Sequence, residues 1–221
     1  MMSLASAVGI EVPPIDLIAR EQLPEIPNHF WPNQSRLAFA IKRFDRDSTR
    51  APIHMEDFAQ VRGKWPDDKY RSNFETVASI CYRKHDKHAL IEFTRRMIFN
   101  VLIGNGDAHL KNWTLLYADG KKPHLSPAYD LVSTIPYIAT GEMGLKWRGN
   151  ERYVSVKLAG FDTLAKKLGA HDVALSDVAR DTVERVRRRW TERSESLIQN
   201  SSSREAISKH LLFQTNRLLL K

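Results

Sequence analysis

Residues 101–120, "VLIGNGDAHLKNWTLLYADG", decide how this chain folds. Just upstream, "DKHALIEFTRRMIFNVLI" (86–103) places Leu90, Phe93, Met97 and Val101 at intervals of three and four, with Ala89, Ile98 and Leu102 beside them. That period predicts a helix, and so wide an apolar stripe predicts a central one. A Gly-Asn-Gly turn at 104–106 ends it, and Asp107, His109, Lys111 and Asn112 follow on one loop. Trp113 then opens "WTLLYADGKKPHLS", two short strands joined at Asp119-Gly120, a hairpin turn signal.

Working outward, "SLASAVG" reads as a short helix stopped by Gly9, followed by an extended segment and a strand in "PPIDLIA". The proline-rich "LPEIPNHFWPNQS" is a loop or hairpin connection, and 36–43 a strand whose end projects Arg43, Asp45 and Arg46. "MEDFAQVRG" and "KYRSNFETVASICYRK" read as helices. "PAYDLVSTIP" is a loop, and "LKWRGNERYVSV" a second hairpin turning at Gly149-Asn150. Helices are expected over 161–168, roughly 172–198 and 203–219, the last opened by a capping box of Ser202 and Glu205. The first fifty residues lean β and the rest α, with no internal repeat and no sharp linker.

With 221 residues the chain is one large domain or two small ones. No apolar run approaches the roughly 20 residues that span a bilayer. The opening "MMSLASAVGIEVPP" lacks the basic and apolar regions of a signal peptide. The single cysteine, Cys81, reads as a small buried hydrophobe, and a cytoplasmic location is expected. The net charge of +8 favours anionic partners without choosing among them. The densest basic run, "ERVRRRWTER" (184–193), reads as a solvated helix face, with nucleic-acid contact as the alternative.

The chemistry gathers at the centre. A loop, a short hairpin and a second loop return Asp130 to the edge that carries Asp107 and Asn112. Two aspartates and an asparagine around one pocket suit phosphoryl transfer, which needs positioning and charge neutralisation more than covalent help. One Asp accepts the proton of an attacking hydroxyl, while the other and the Asn offer hard oxygens to Mg²⁺. Lys111 offers its charge to a phosphate oxygen, and His109 holds the loop or contacts nucleotide. A plain turn explains "NGD" equally well at this point. His85 and His88 lack a third ligand for zinc, and the sequence has no G-x-S-x-G elbow, no Walker A motif and no Gly-rich phosphate loop.

Five stretches in order, "MSLASAVGIEVPPIDLI", "LAFAIKRFDRD", "HMEDFAQVRGKWPDDKY", "NVLIGNGDAHLKNWTLL" and "LSPAYDLVSTIP", resemble the C-terminal part of the HipA-like serine/threonine kinase toxins. "MGLKWRG" and "FDTLAKKLG" also sit where that family has a hairpin and following helices. The resemblance covers nearly the whole chain and favours catalysis over a plain turn. It implies a kinase-like α+β fold: a remnant of the β-rich N-lobe and hinge at 1–46, and a mostly helical C-lobe at 47–221. It implies transfer of the ATP γ-phosphoryl group, with Mg²⁺, to a Ser or Thr hydroxyl. Carried over by motif, Asp107 is the catalytic base, and Asn112 and Asp130 are the metal ligands. Backbone groups of Lys42 and Phe44 hold adenine, Asp45 holds ribose, and His109 and Tyr129 lie near the nucleotide. The family is the toxin half of type II toxin-antitoxin pairs. It implies an aminoacyl-tRNA synthetase as protein substrate and a helix-turn-helix antitoxin as partner, with DNA reached only through that antitoxin.

The family's ATP-anchoring lysine and Gly-rich loop lie upstream of where this sequence begins. Weakened transfer is therefore expected, or completion by a separate N-lobe chain. The alternatives are a non-catalytic regulatory module of kinase fold, and a basic DNA-binding helical protein, which leaves the ordered motifs unexplained.

Overall fold

The computed structural model describes residues 1–31, 35–138 and 140–220. Among the described residues, seven α-helices and seven strands follow one another. They are α1 (Met2–Ala7), β1 (Ile15–Ala19), β2 (Leu37–Ile41), β3 (His54–Asp57), α2 (Phe58–Val61), α3 (Phe74–Tyr82) and α4 (Lys87–Ile103). After these come β4 (Thr114–Tyr117), β5 (His124–Leu125), β6 (Glu142–Trp147), β7 (Asn150–Arg152), α5 (Ala159–Leu168), α6 (Leu175–Leu197) and α7 (Ser201–Leu219).

Helix α4 is the axis, as its sequence predicts. Asp86 caps it by accepting from Ala89 N–H (2.9 Å), and Gly104 ends it with φ +66°. It packs against α3, α6 and α7, so that even the polar Glu92, Thr94, Arg96 and Asn100 are buried. They pair within the helix: Arg96 Nε donates to Glu92 Oε1 (2.9 Å), and Thr94 Oγ1 donates to Leu90 O (3.0 Å). Buried charge is tolerated only when paired. Leu90, Phe93, Met97 and Leu102 supply the apolar centre.

Helix α1 lies on α6, and Glu11 N–H reaches Glu92 (3.1 Å). The first eleven residues thus join the helical body, although they precede the β-rich segment. Strands β1 and β2 form a separate antiparallel ribbon, running from Ile15 opposite Ile41 to Ala19 opposite Leu37. Leu17, Leu37, Phe39 and Ile41 on it are exposed. The connection expected over 23–35 includes 32–34, which lie outside the described residues.

Several boundaries differ from the sequence reading, each for a nameable reason. Residues 55–57, expected in a helix, belong to strand β3, because it pairs with β4 from His54–Tyr117 to Asp57–Thr114. Helix α2 is only Phe58–Val61, opened by reciprocal capping between Asp57 and Gln60. The helix expected from residue 69 starts at Phe74, where Asn73 caps it by accepting from Thr76 N–H (2.8 Å). The second hairpin turns one residue early, on Arg148 and Gly149, which both have positive φ. That is the geometry a two-residue turn requires. Asn200, not Ser202, caps α7, accepting from Ser203 N–H (2.8 Å).

Candidate active site

The loop after α4 is clamped from two sides. Asn105 is only 2% exposed. Its Oδ1 accepts from Asp107 N–H (3.1 Å), while its Nδ2 donates to Asn100 Oδ1 (2.9 Å) and to the Asp130 carbonyl (3.4 Å). From the facing loop, Thr134 Oγ1 accepts from Gly106 N–H (3.0 Å) and donates to Gly104 O (3.0 Å). A Cβ on Gly106 would stand 3.0 Å from that hydroxyl and 3.1 Å from the Glu142 carbonyl. Strand β6 comes equally close, since a Cβ on Gly144 would stand 2.8 Å from the Ala108 carbonyl.

This frame presents Asp107 outward, with its side chain 45% exposed. The Tyr70 hydroxyl donates to its Oδ1. Burial, then the bond to Asp107, push the Tyr70 phenol up to about 12. His109 Nε2 lies 3.9 Å from the same carboxylate oxygen. Burial, helped by the charge of Lys69, holds the His109 pKa below its ordinary value, so the imidazole is neutral at pH 7.

A short 3-10 turn, Leu110–Asn112, carries the rest. Asn112 Oδ1 accepts from His109 N–H (2.8 Å) and its Nδ2 donates to Asp130 Oδ2 (2.5 Å). Among the described residues nothing donates to Asp130 Oδ1. Asp130 has φ +57°, a conformation uncommon outside glycine and best tolerated by Asn and Asp. The Lys111 side chain is exposed, and its carbonyl accepts from the Tyr129 hydroxyl (2.6 Å), which also bonds Thr114 Oγ1 (2.6 Å). Burial drives the Tyr129 phenol up to about 12. The Tyr129 ring lies against Phe44, with centroids 5.5 Å apart.

The structure therefore brings Asp107, His109, Lys111, Asn112, Tyr129 and Asp130 together, and joins Phe44 to them through a ring contact. Two residues after β2 are differently engaged than the resemblance implies. Lys42 N–H donates to the Pro14 carbonyl (2.9 Å). Asp45 is 7% exposed and does not project. Arg43 grips both its oxygens (2.8 and 2.6 Å), and Arg46 adds a bond to Oδ2 (2.7 Å). The Arg43 bond, chiefly, pulls its pKa down to about 2.

Asp130 and Tyr129 stand at the edge of a cleft of ≈1180 Å³, whose opposite wall is the β1–β2 ribbon with Leu17, Phe39 and Ile41. Behind the Asn112–Asp130 pair a small cavity of ≈10 Å³ is lined by Arg96, Asn100 and Asn105. Among the described residues, no three His, Cys, Asp or Glu side chains are arranged to hold a metal. The sequence reading missed Asn105, Thr134 and Tyr70. Asn105 sat in view inside "GNGD", yet its bond to the Asp130 carbonyl spans 25 positions, and nothing local marks the other two.

A sequence model of the HipA-like C-terminal domain matches residues 1–190. The chain belongs to this family. It is 37% identical over 212 residues to a Sinorhizobium fredii protein named "Putative kinase Y4dM", covering 95% of this chain and 51% of that one. A second protein of that organism, with the same kinase description and the name Y4mE, is 31% identical over 180 residues, covering 76% and 40%. The chain thus spans about half the length, or less, of these curated relatives. Among solved structures it resembles HipA of Shewanella oneidensis MR-1, described in complex with HipB and operator DNA. The TM-score is 0.77 at 21% identity, over 99% of this chain and 54% of that one. The Helicobacter pylori proinflammatory kinase CtkA aligns with TM-score 0.61 at 15% identity, over 98% and 81%. The fold is therefore kinase-like and α+β.

Proposed function

We propose that this chain is the catalytic lobe of a HipA-like serine/threonine protein kinase, transferring the γ-phosphoryl group of ATP to a protein hydroxyl. The observation that carries the reading is the Asn112–Asp130 contact, held by Asn105 to the loop that presents Asp107.

Asp107 accepts the proton of the acceptor hydroxyl, whose oxygen bonds to the γ-phosphorus as the bond to the β-phosphate oxygen breaks. Neutral His109 beside it leaves the carboxylate without a competing cation. The donor set fits Mg²⁺. Asp130 Oδ1 has no described donor, and the Asn112 oxygen keeps a second lone pair beyond its bond to His109 N–H. Mg²⁺ accepts one or two protein oxygens and completes its shell with water and phosphate, so the lack of a third acidic ligand is no obstacle. When bound, it would neutralise charge on the nucleotide phosphates. Lys111 faces solvent as the cation for a phosphate oxygen.

The ≈1180 Å³ cleft beside Asp130 is ample for a nucleotide. Tyr129 lines it and, with Phe44 against its ring, offers aromatic surface, with the Lys42 and Phe44 carbonyls as adenine acceptors. Asp45, clasped by Arg43 and Arg46, shapes the turn in place of binding ribose. We read 1–46 as N-lobe remnant and hinge, and 47–221 as the helical lobe, with α1 docked back onto the latter. The HipA–HipB–operator complex of the Shewanella relative supports an antitoxin partner; this reading makes it a helix-turn-helix protein, through which DNA is reached. An aminoacyl-tRNA synthetase is the substrate class, and the cytoplasm the compartment, that this reading carries. No described helix is long and apolar enough to cross a membrane.

The test is calorimetric titration with ATP, with and without Mg²⁺, on the wild type and Asp130→Ala. Magnesium-dependent binding that the variant loses supports the reading. Equal binding by both proteins refutes the metal assignment, and Asp107→Asn with undiminished transfer refutes the base.

A further inference from the structure

Tyr70 belongs to a segment that the kinase reading above does not use. Residues 64–73 run from Trp65, which is 79% exposed, through a short turn to Asn73 at the cap of α3. The segment is tied to the catalytic loop, because Leu110 N–H donates to the Lys69 carbonyl (3.1 Å). The Lys69 ammonium stands 5.0 Å from the centre of the Tyr70 ring, and that ring and His109 meet in a T-shaped contact with centroids 5.2 Å apart. Held this way, the Tyr70 hydroxyl donates to Asp107 Oδ1. Tyr70 is 44% exposed, so the contact lies at the protein surface.

That hydrogen bond has the same donor, the same acceptor and the same direction as the one a serine or threonine acceptor must form before transfer. A base can deprotonate only a hydroxyl within hydrogen-bond reach. Here a hydroxyl of the chain itself occupies that reach. Burial and the neighbouring carboxylate keep the phenol protonated at neutral pH, so it is always a donor. It sits between charged Lys69 and Arg71 on a surface segment that also exposes Trp65, open to an approaching protein.

We propose that Tyr70 holds the acceptor seat at Asp107: its hydroxyl stands in for the hydroxyl to be phosphorylated, takes the place on Oδ1 that a water would otherwise fill, and is displaced when an acceptor segment docks on residues 64–73. The proposal rests on the kinase reading. It makes Tyr70 a specificity-determining residue, since an acceptor must replace its hydrogen bond and a lone water does so poorly.

The experiment compares the 221-residue wild type with Tyr70→Phe, which keeps the ring against His109 and removes only the hydroxyl. Three quantities are measured: Mg-ATP affinity by calorimetry, ATP hydrolysis, and phosphoryl transfer to dephosphorylated casein. In hydrolysis, the water oxygen bonds to the γ-phosphorus, its proton passes to Asp107, and ADP leaves as the bond to the β-phosphate oxygen breaks. The expected result is hydrolysis raised by about threefold or more and a lower KM for casein, with ATP affinity unchanged. Hydrolysis that falls or stays the same, undetectable in both proteins included, overturns the proposal if ATP still binds, and leaves Tyr70 as a group that only orients Asp107. Phosphate found on Tyr70 by mass spectrometry also overturns it, making Tyr70 an acceptor and not a guard. Absence of ATP binding in both proteins is the separate outcome that removes the kinase reading and this inference with it. The contact has its own readout in the ¹³C-tyrosine NMR titration. Asp107→Asn should lower the Tyr70 midpoint from about 12 toward 10.0, and an unmoved midpoint overturns the proposal whatever the activity.

Discussion

Asn105→Ala removes a side chain that ties the backbone of Asp107 to that of Asp130. Three hydrogen bonds disappear, at 2.9, 3.1 and 3.4 Å. The two shorter ones contribute about 1 kcal/mol each, and the longest less. Because Asn105 is 2% exposed, water does not freely replace it, and Asp107 N–H and Asn100 Oδ1 lose their partner at a buried spot. The expected loss is about 2–4 kcal/mol, a large fraction of the roughly 5–15 kcal/mol typical of a domain. Urea unfolding followed by circular dichroism should show the midpoint falling by about 1 M or more at unchanged slope. Asn105→Asp sharpens the test. It keeps an acceptor for Asp107 N–H but turns a carboxylate toward Asn100 Oδ1 and the Asp130 carbonyl. It should match or exceed the alanine loss at pH 7 and recover in acid, as the new carboxyl protonates and regains a donor. A loss under about 0.5 kcal/mol in the alanine variant would refute the view that this residue holds the two loops together.

Three further outcomes are expected. Asp45 has its pKa lowered from 3.8 to about 2, so its contribution is fully present above about pH 4 and is lost as pH falls toward 2. The shift of roughly 1.8 units sets a ceiling of about 2.4 kcal/mol, and with the Arg43 side chain 65% exposed, solvent screening brings it nearer 1 kcal/mol. Asp45→Asn should be less stable than wild type at pH 7, and the two urea curves should converge near pH 2. His109 and His210 are both lowered from 6.5, chiefly by burial, so the unfolded chain takes protons first and stability declines as pH drops below 6.5. Imidazole NMR should place both midpoints below 6.5, and a higher one for His109 would mean that Asp107 outweighs burial. Gly144→Ala drives a methyl into the Ala108 backbone and should cost about 1–3 kcal/mol in urea unfolding.

What the sequence made legible was local. Helix α4 announced itself because its apolar spacing, its Asp86 cap and its closing glycine all lie within one stretch. Both hairpins carried glycine at their turns, although the second turns one residue earlier than expected. Strand β3 was misread because its partner β4 lies about sixty residues away, and pairing across that distance overrides a helix-like pattern around Met55. The same division runs through the site. Asp107 and Asn112 share one loop, and Asp130 returns after one hairpin, so spacing and resemblance sufficed to group them. Tyr70 reaches Asp107 from 37 positions away, and Thr134 reaches Gly106 from 28, leaving no periodic trace in the sequence. Asp45 failed differently: its arginine neighbours were visible, but whether alternating charges splay outward or fold onto one another depends on backbone angles after β2.

One ring connects two segments distant in the sequence. Tyr129 leans on Phe44 with one face, and its hydroxyl bonds both the Lys111 carbonyl and Thr114. A segment leaving the ribbon and the turn that carries Asn112 are therefore mechanically joined through a single side chain. Thermodynamic linkage makes such a joint two-way. Whatever free energy an occupant of the Phe44 face lends to ordering the loop, an occupant of the loop returns to the Phe44 face in equal amount. Tyr129→Phe, which keeps the ring and cuts only the hydroxyl, is then a change in communication and not in either binding surface. A double-mutant cycle of Phe44→Leu with Tyr129→Phe reads that exchange directly.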